Sequence, residues 1–144
     1  MSDLRTLLGI EHPIVLGPFG GLSSTALTAA VSNAGGLGSF GLYGYDGDRI
    51  RATGAELRAL TDRPYAVNVW LPMGDEAEPN PQHTVFAQAL QPFYEAVGVD
   101  VPARPERYAP TLDEQLEAVW EIEPAVLSVV FGVPSDDLIE EAHR

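Results

Sequence analysis

Cysteine is absent from the 144 residues of this sequence, which excludes disulfide bonds, thiolate metal ligands and cysteine nucleophiles. Positive charge is scarce as well: 8 Lys and Arg stand against 21 Asp and Glu, for a formal net charge of -13. Nucleic acids and anionic membranes both bind through Lys and Arg, so this balance argues against either as a partner.

Long apolar runs are also missing. A membrane-spanning helix needs about 18 consecutive apolar residues, and the sequence has no run of that length. Its start, MSDLRTLLGIEHP, lacks the apolar core of a signal peptide. We therefore expect a cytoplasmic protein with no membrane partner. A hydrophobic content of 45% and a charged content of 20% are ordinary for one globular domain of this length.

What the sequence does contain is an alternation of apolar runs and helical patterns. The apolar runs predict four strands, at 14–19, 37–41, 65–71 and 125–132. Amphipathic helices are predicted after each of them, and continuous apolar strands followed by such helices indicate a parallel sheet covered on both faces. Two α/β architectures share this pattern, the doubly wound sheet and the TIM (β/α)8 barrel.

Residues 72–110 interrupt the alternation. They hold seven of the twelve prolines and frame one predicted helix at 83–97. An insertion of this length between a strand and its helix is typical of a lid or binding loop. Thr111 and Glu114 form a capping-box pattern that starts the next helix, and Ser135 is a candidate cap for the last one.

The last helical pattern stops without a Gly or Asn cap. Four βα units are half of a barrel that needs about 250 residues. We therefore expect residues 1–144 to be a single partial barrel domain, with the insertion at 72–110, truncated after its fourth helix begins.

Glycines at 36, 38 and 41 match the G-x-G-x-x-G fingerprint of dinucleotide-binding sites. That fingerprint binds pyrophosphate only where a strand precedes it and a helix follows it. Here the helical pattern comes first and the glycines fall within the predicted strand, so close packing is the favoured interpretation.

Asn68 is the most informative polar residue, because it interrupts the apolar strand YAVNVWL. Strand periodicity places Ala66, Asn68 and Trp70 on one face. Asn68 lies near the carboxyl end of its strand, the end at which barrel proteins bind ligands. A satisfied structural asparagine is the alternative from the pattern alone.

No residue is predicted to act as a catalytic acid or base. The three histidines lie outside any pairing of a base with an orienting group, and the sequence contains no metal-ligand cluster and no Ser-His-Asp spacing. We expect neither a metal site nor a complete catalytic site in this segment.

The motifs together resemble one family. HPIVLGPFGGLSSTALTAAVSNAGGLGSFG, then LTDRPYAVNVWLP and SVVFGVP, resemble the N-terminal half of the nitronate monooxygenases, also called the 2-nitropropane dioxygenase family. The resemblance implies a TIM-barrel oxidoreductase that uses FMN to oxidise alkyl nitronates with molecular oxygen. The flavin-dependent enoyl-ACP reductases share the same pattern and stay open as an alternative.

The resemblance also assigns residues to the cofactor. The family's Ala-Pro-Met turn, which passes under the flavin ring, corresponds to Gly17, Pro18 and Phe19, and its third-strand asparagine corresponds to Asn68. Phe19 in place of methionine departs from the family pattern. The family's catalytic histidine lies in a Gly-Gly-His motif beyond the fourth unit, and its phosphate-binding loops are also late, so residues 1–144 are expected to hold the flavin-ring side and to be inactive alone.

A third interpretation, from another class, is a free-standing four-unit α/β binding module without catalysis. The unpaired sheet edges of a half barrel also predict homo-oligomerisation.

Overall fold

The structure is a computed structural model that describes residues 3–72, 83–103, 107 and 109–144. The chain divides into two compact units, residues 1–72 with 109–144, and residues 73–108. The elements in chain order are α1 Leu4–Leu8, α2 Thr25–Asn33, β1 Gly38–Gly41, α3 Gly47–Leu60, β2 Tyr65–Trp70, α4 His83–Ala96, α5 Leu112–Ile122, β3 Val126–Val130 and α6 Asp136–Ala142.

The three strands form one parallel sheet in the order β1-β2-β3. Register pairs run through Gly41 and Asn68 and then through Asn68 and Ser128, so all three strands end at one edge. This sequential order agrees with a barrel, in which neighbouring strands follow one another along the chain. The prediction of an α/β fold with a parallel sheet is confirmed.

The predicted strand at 14–19 is wrong, and with it the count of four strands among the described residues. Val15 forms a single parallel bridge with Leu37, and the pairing ends there. Two hydrogen bonds make that bridge, Leu37 N to Ile14 O at 2.9 Å and Leu16 N to Leu37 O at 2.9 Å. Pro18 has no N–H with which to continue the ladder.

Beyond that bridge, side-chain hydroxyls form hydrogen bonds with the backbone groups at the edge of β1. Thr28 Oγ1 donates to Ser39 O at 3.1 Å, and Gly41 N donates to Ser23 Oγ at 2.9 Å. Buried backbone groups need partners, so these side chains replace the ladder that the proline ends.

Helix α2 lies very close to β1, and glycine makes this approach feasible. A Cβ at Gly38 would stand 2.0 Å from Thr28 O. At the same point Gly38 N donates to Ser32 Oγ, and Ser32 Oγ donates to Pro64 O, which joins α2 to the starts of β1 and β2. The glycines of the G-x-G-x-x-G pattern are thus used in packing, as the sequence favoured.

The main core lies between the sheet and helices α3 and α5. Its buried members are Phe40, Leu42, Ile50, Leu57, Tyr65, Val67, Val69, Ala118, Val119 and Ile122. A smaller cluster on the other face joins Ile10, Leu37 and Ala66. The two faces of β2 therefore differ as its alternation predicted, with Val67 and Val69 towards the helices.

Most helix boundaries follow the capping signals. Ser24 caps α2, Ser135 caps α6, and Thr111 and Glu114 form the predicted capping box of α5. Helix α1 was not predicted; Asp3 caps it and Gly9 ends it in a left-handed conformation.

The second unit contains α4, which confirms the helix predicted at 83–97. It includes Pro92, and Gln91 Nε2 donates to Glu95 Oε1 at 2.8 Å. The assignment of 72–110 as a lid or binding loop stays a prediction, since residues 73–82, 104–106 and 108 lie outside the described residues.

Within the described part of the chain, no helix is long and apolar enough to cross a membrane.

The contact between α2 and β1 generates a first prediction. Gly38→Ala should destabilise the fold by about 3 kcal/mol or more, because the new methyl group meets the helix backbone rather than a movable side chain. Gly17→Ala is the matched control, since nothing lies within 4 Å of a Cβ there. Urea unfolding of both variants checks this; equal midpoints would contradict the close approach of α2 to β1.

The open edge of β3 generates a second prediction. Among the described residues β3 pairs only with β2, so its other edge is available to another chain. We expect concentration-dependent dimers or larger species in light scattering after gel filtration. Because a net charge of -13 opposes association, 0.5 M salt should increase the associated fraction. A monomer at all concentrations and salts would contradict this expectation.

Candidate functional site

A cavity of about 360 Å³ opens at the edge where the three strands end. Its lining comes from the turn before α2 and from the carboxyl ends of all three strands. The lining residues are Pro18, Gly20, Gly41, Tyr43, Asn68, Trp70, Ser128, Val129, Val130 and Phe131. Ligands of parallel α/β proteins bind at this edge, so the cavity is the candidate site.

The turn over the end of β1 is fixed by Ser23. Its Oγ accepts from Phe19 N at 3.2 Å and from Gly41 N at 2.9 Å, and it donates to Phe19 O at 2.7 Å. A Cβ on Gly41 would lie 3.1 Å from Gly20 N, so the strand end and the turn are in close backbone contact. Gly20 and Gly41 both line the cavity, so backbone atoms form this part of its wall.

Asn68 and Ser128 are adjacent polar residues in the cavity lining. They are register partners on β2 and β3, and Asn68 Nδ2 donates to Ser128 Oγ at 3.0 Å. Asn68 is 6% exposed, and its Oδ1 has no hydrogen-bond partner among the described residues. No side-chain polar atom in the described part of the chain is both fully buried and unpaired, so this oxygen is open to the cavity. The pair thus offers a fixed acceptor.

Three aromatic side chains make the rest of the wall. The Tyr43 and Trp70 ring centroids are 3.8 Å apart, and Phe131 meets Trp70 edge-to-face at 4.8 Å. All three rings remain substantially exposed, at 49%, 39% and 46%. Such surfaces stack well with planar rings.

Gln115 of α5 holds the loop that carries Tyr43. Its buried amide Nε2 donates to Leu42 O at 3.1 Å and to Tyr45 O at 2.8 Å. The two carbonyls flank Tyr43, so this side chain restricts the loop at the cavity entrance.

The structure brings two of the four residues assigned by the resemblance to the cavity. Pro18 and Asn68 both line it. Gly17 and Phe19 belong to the same turn but are not in the lining, and the Phe19 side chain is 55% exposed.

Sequence reasoning missed Ser128 and the three aromatic residues. Ser128 interrupts an apolar strand just as Asn68 does, which is a signal that the sequence offered. Tyr43, Trp70 and Phe131 each lie at or just after a strand end, where side chains converge in a parallel sheet.

Among the described residues, the cavity lining contains no Asp, Glu, His, Lys or Arg. The displaced pKa values belong to groups elsewhere: burial raises the pKa of Tyr65, and a hydrogen bond from Arg51 lowers the pKa of Glu121. The described residues include no cluster of three or more metal-ligating side chains. The described residues of the lining can thus contact an uncharged planar ring, and none of them is an ionised acid or base.

Curated proteins similar to this chain are named nitronate monooxygenase. The protein from Paraburkholderia phytofirmans is 40% identical over 98% of the chain, and the protein from Pseudomonas aeruginosa is 38% identical over 96%. The chain spans 39% and 40% of their respective lengths.

Among solved structures, the nitroalkane oxidase from Streptomyces ansochromogenes overlaps with a TM-score of 0.78 at 29% identity. The overlap covers 99% of this chain and 40% of that one. The sequence model of the nitronate monooxygenase family matches residues 1–144. The chain therefore belongs to the nitronate monooxygenase family, whose members are oxidoreductases.

Proposed function

We propose that this chain forms the flavin-ring side of an FMN site in a (β/α)8-barrel oxidoreductase that oxidises alkyl nitronates with molecular oxygen. The observation that carries the proposal is the cavity at the strand ends, with Pro18 and Asn68 in its lining. Family membership supports the reaction class, and the sequential parallel sheet supports the barrel.

The residues present fit the ring portion of FMN. Gly20 and Gly41 line the cavity and carry no side chain that would cover their backbone there. The open Oδ1 of Asn68 suits the N–H of the isoalloxazine. Trp70 and Tyr43 supply apolar surface for stacking. The described lining residues are uncharged, as is the ring.

The same lining does not fit the phosphate or the nitronate charge. The described lining residues include no cationic side chain, so none of them neutralises an anion. We propose that groups outside residues 1–144 hold the phosphate and supply the base.

FMN, when bound, would supply the redox chemistry, taking electrons from a nitronate and passing them to oxygen. The chain's own residues would bind and orient it. Asn68 would hold the ring edge, Ser128 would fix the Asn68 amide, and the aromatic wall would exclude water from one side. No proton-transfer step is assigned to a residue of this chain.

The two alternatives differ in what they require. An enoyl-ACP reductase would use a nicotinamide cofactor, and a binding module would be a stable, colourless monomer.

A third prediction concerns the chain alone. Residues 1–144 should elute from gel filtration without FMN and should not consume oxygen with an alkyl nitronate. Joining them to the remaining part of the Paraburkholderia relative should give a yellow protein that turns over. An isolated chain that stays yellow and active would show that this placement of phosphate and base is mistaken.

A fourth prediction concerns Asn68. The isolated chain should bind lumiflavin, the ring without its phosphate chain, with a Kd on the order of 0.1–1 mM, since ring contacts alone supply about 4–5.5 kcal/mol. Asn68→Ala should weaken this binding about 5- to 10-fold, the equivalent of one hydrogen bond. Quenching of flavin fluorescence measures the affinity.

Three variants control the Asn68 test. Ser128→Ala should weaken binding less than Asn68→Ala, and Ser128→Thr should restore it because the hydroxyl returns. Asn33→Ala removes hydrogen bonds to Leu60 and Thr61 far from the cavity, so it should lower stability without changing lumiflavin affinity. Equal affinities for Asn68→Ala and wild type would overturn the assigned role.

A further inference from the structure

Phe131 has an unusual backbone conformation. Its φ is 65°, in the left-handed region that bulky side chains rarely adopt. Only one other non-glycine residue in the described part of the chain has a positive φ, Glu123 at 47°.

Helix termination explains the conformation of Glu123. This residue is the C-cap of α5, and its N–H bonds back to Val119 O at 3.2 Å. Left-handed residues commonly end helices in this way. Phe131 follows a strand and ends no helix, so this explanation does not extend to it.

Burial does not explain Phe131 either. Phe131 remains 46% exposed, and among the described residues its one ring contact is the edge-to-face approach to Trp70 at 4.8 Å. A half-exposed aromatic side chain gains only part of the free energy of transfer from water. Folding alone therefore offers little compensation for the strain.

The strained conformation places Phe131 in the cavity lining beside Trp70. Strained backbone is concentrated at ligand-binding positions, where the surrounding structure enforces it. We propose that Phe131 is a ligand-contacting, specificity-determining residue, held in this conformation so that its ring contacts a planar, uncharged ligand in the cavity. This inference rests on the proposed function, because the ligand class is that of the flavin ring.

The test separates the backbone from the ring. Phe131→Gly removes both the strain and the ring, whereas Phe131→Ala removes the ring and keeps the strain. We expect the Tm of Phe131→Gly to exceed that of Phe131→Ala by about 3 °C, with both variants binding lumiflavin about 5- to 10-fold more weakly. Phe131→Tyr, which keeps an aromatic ring, should bind within about 2-fold of wild type.

Glu123→Gly is the matched control. It relieves the other positive φ away from the cavity lining, so it should raise the Tm and leave lumiflavin affinity unchanged. Wild-type affinity in Phe131→Gly would overturn the inference and leave the proposed function standing. A merely structural role would also be shown if the Tm of Phe131→Gly fell below that of Phe131→Ala. If the wild-type chain does not bind lumiflavin, both the inference and the proposed function are overturned.

Discussion

The cavity lies where the hydrogen bonds of Ser23 join a turn to the end of a strand. One hydroxyl joins Phe19 N, Phe19 O and Gly41 N, and so holds the turn before α2 against the carboxyl end of β1. Pro18 makes this arrangement necessary, because it ends the pairing of the first segment with β1 and leaves strand groups that need partners. The glycine backbone in the cavity wall is thus a consequence of how the backbone groups at the edge of β1 find hydrogen-bond partners.

The chemistry of the cavity follows from its position at three strand ends. Register brings Asn68 and Ser128 together, and the next turns bring Tyr43, Trp70 and Phe131 around them. The described lining offers an amide acceptor beside aromatic surfaces and no charged side chain, which favours a neutral heterocycle over an anion. This preference agrees with the proposal that groups outside residues 1–144 hold the phosphate and supply the base.

Local signals in the sequence predicted much of the fold. The third apolar run became β2, the capping box of α5 formed as expected, and the helix at 83–97 became α4. These elements depend on periodicity and on neighbouring residues, which a single sequence contains. The strand predicted at 14–19 is wrong because Pro18 lacks the N–H that the ladder needs, a signal against a strand that the sequence itself contains.

The site was less accessible to sequence reasoning. Asn68 was found because it interrupts an apolar strand, and Pro18 through the family resemblance. The aromatic wall was missed since Tyr43, Trp70 and Phe131 are separated along the chain and each alone resembles an ordinary apolar residue. The positive φ of Phe131 depends on tertiary context and has no signal in its own residue type.

We propose that the carboxyl edge of the sheet binds a flavin ring. Amide NMR of the ¹⁵N-labelled chain, titrated with lumiflavin, tests it most directly. We expect chemical shift changes at Gly20, Gly41, the Asn68 side-chain amide and the Trp70 indole. Residues of the hollow near Arg58 and Tyr65, at the opposite edge, should not shift. Shifts centred on that hollow, or none at the strand ends, would contradict the account.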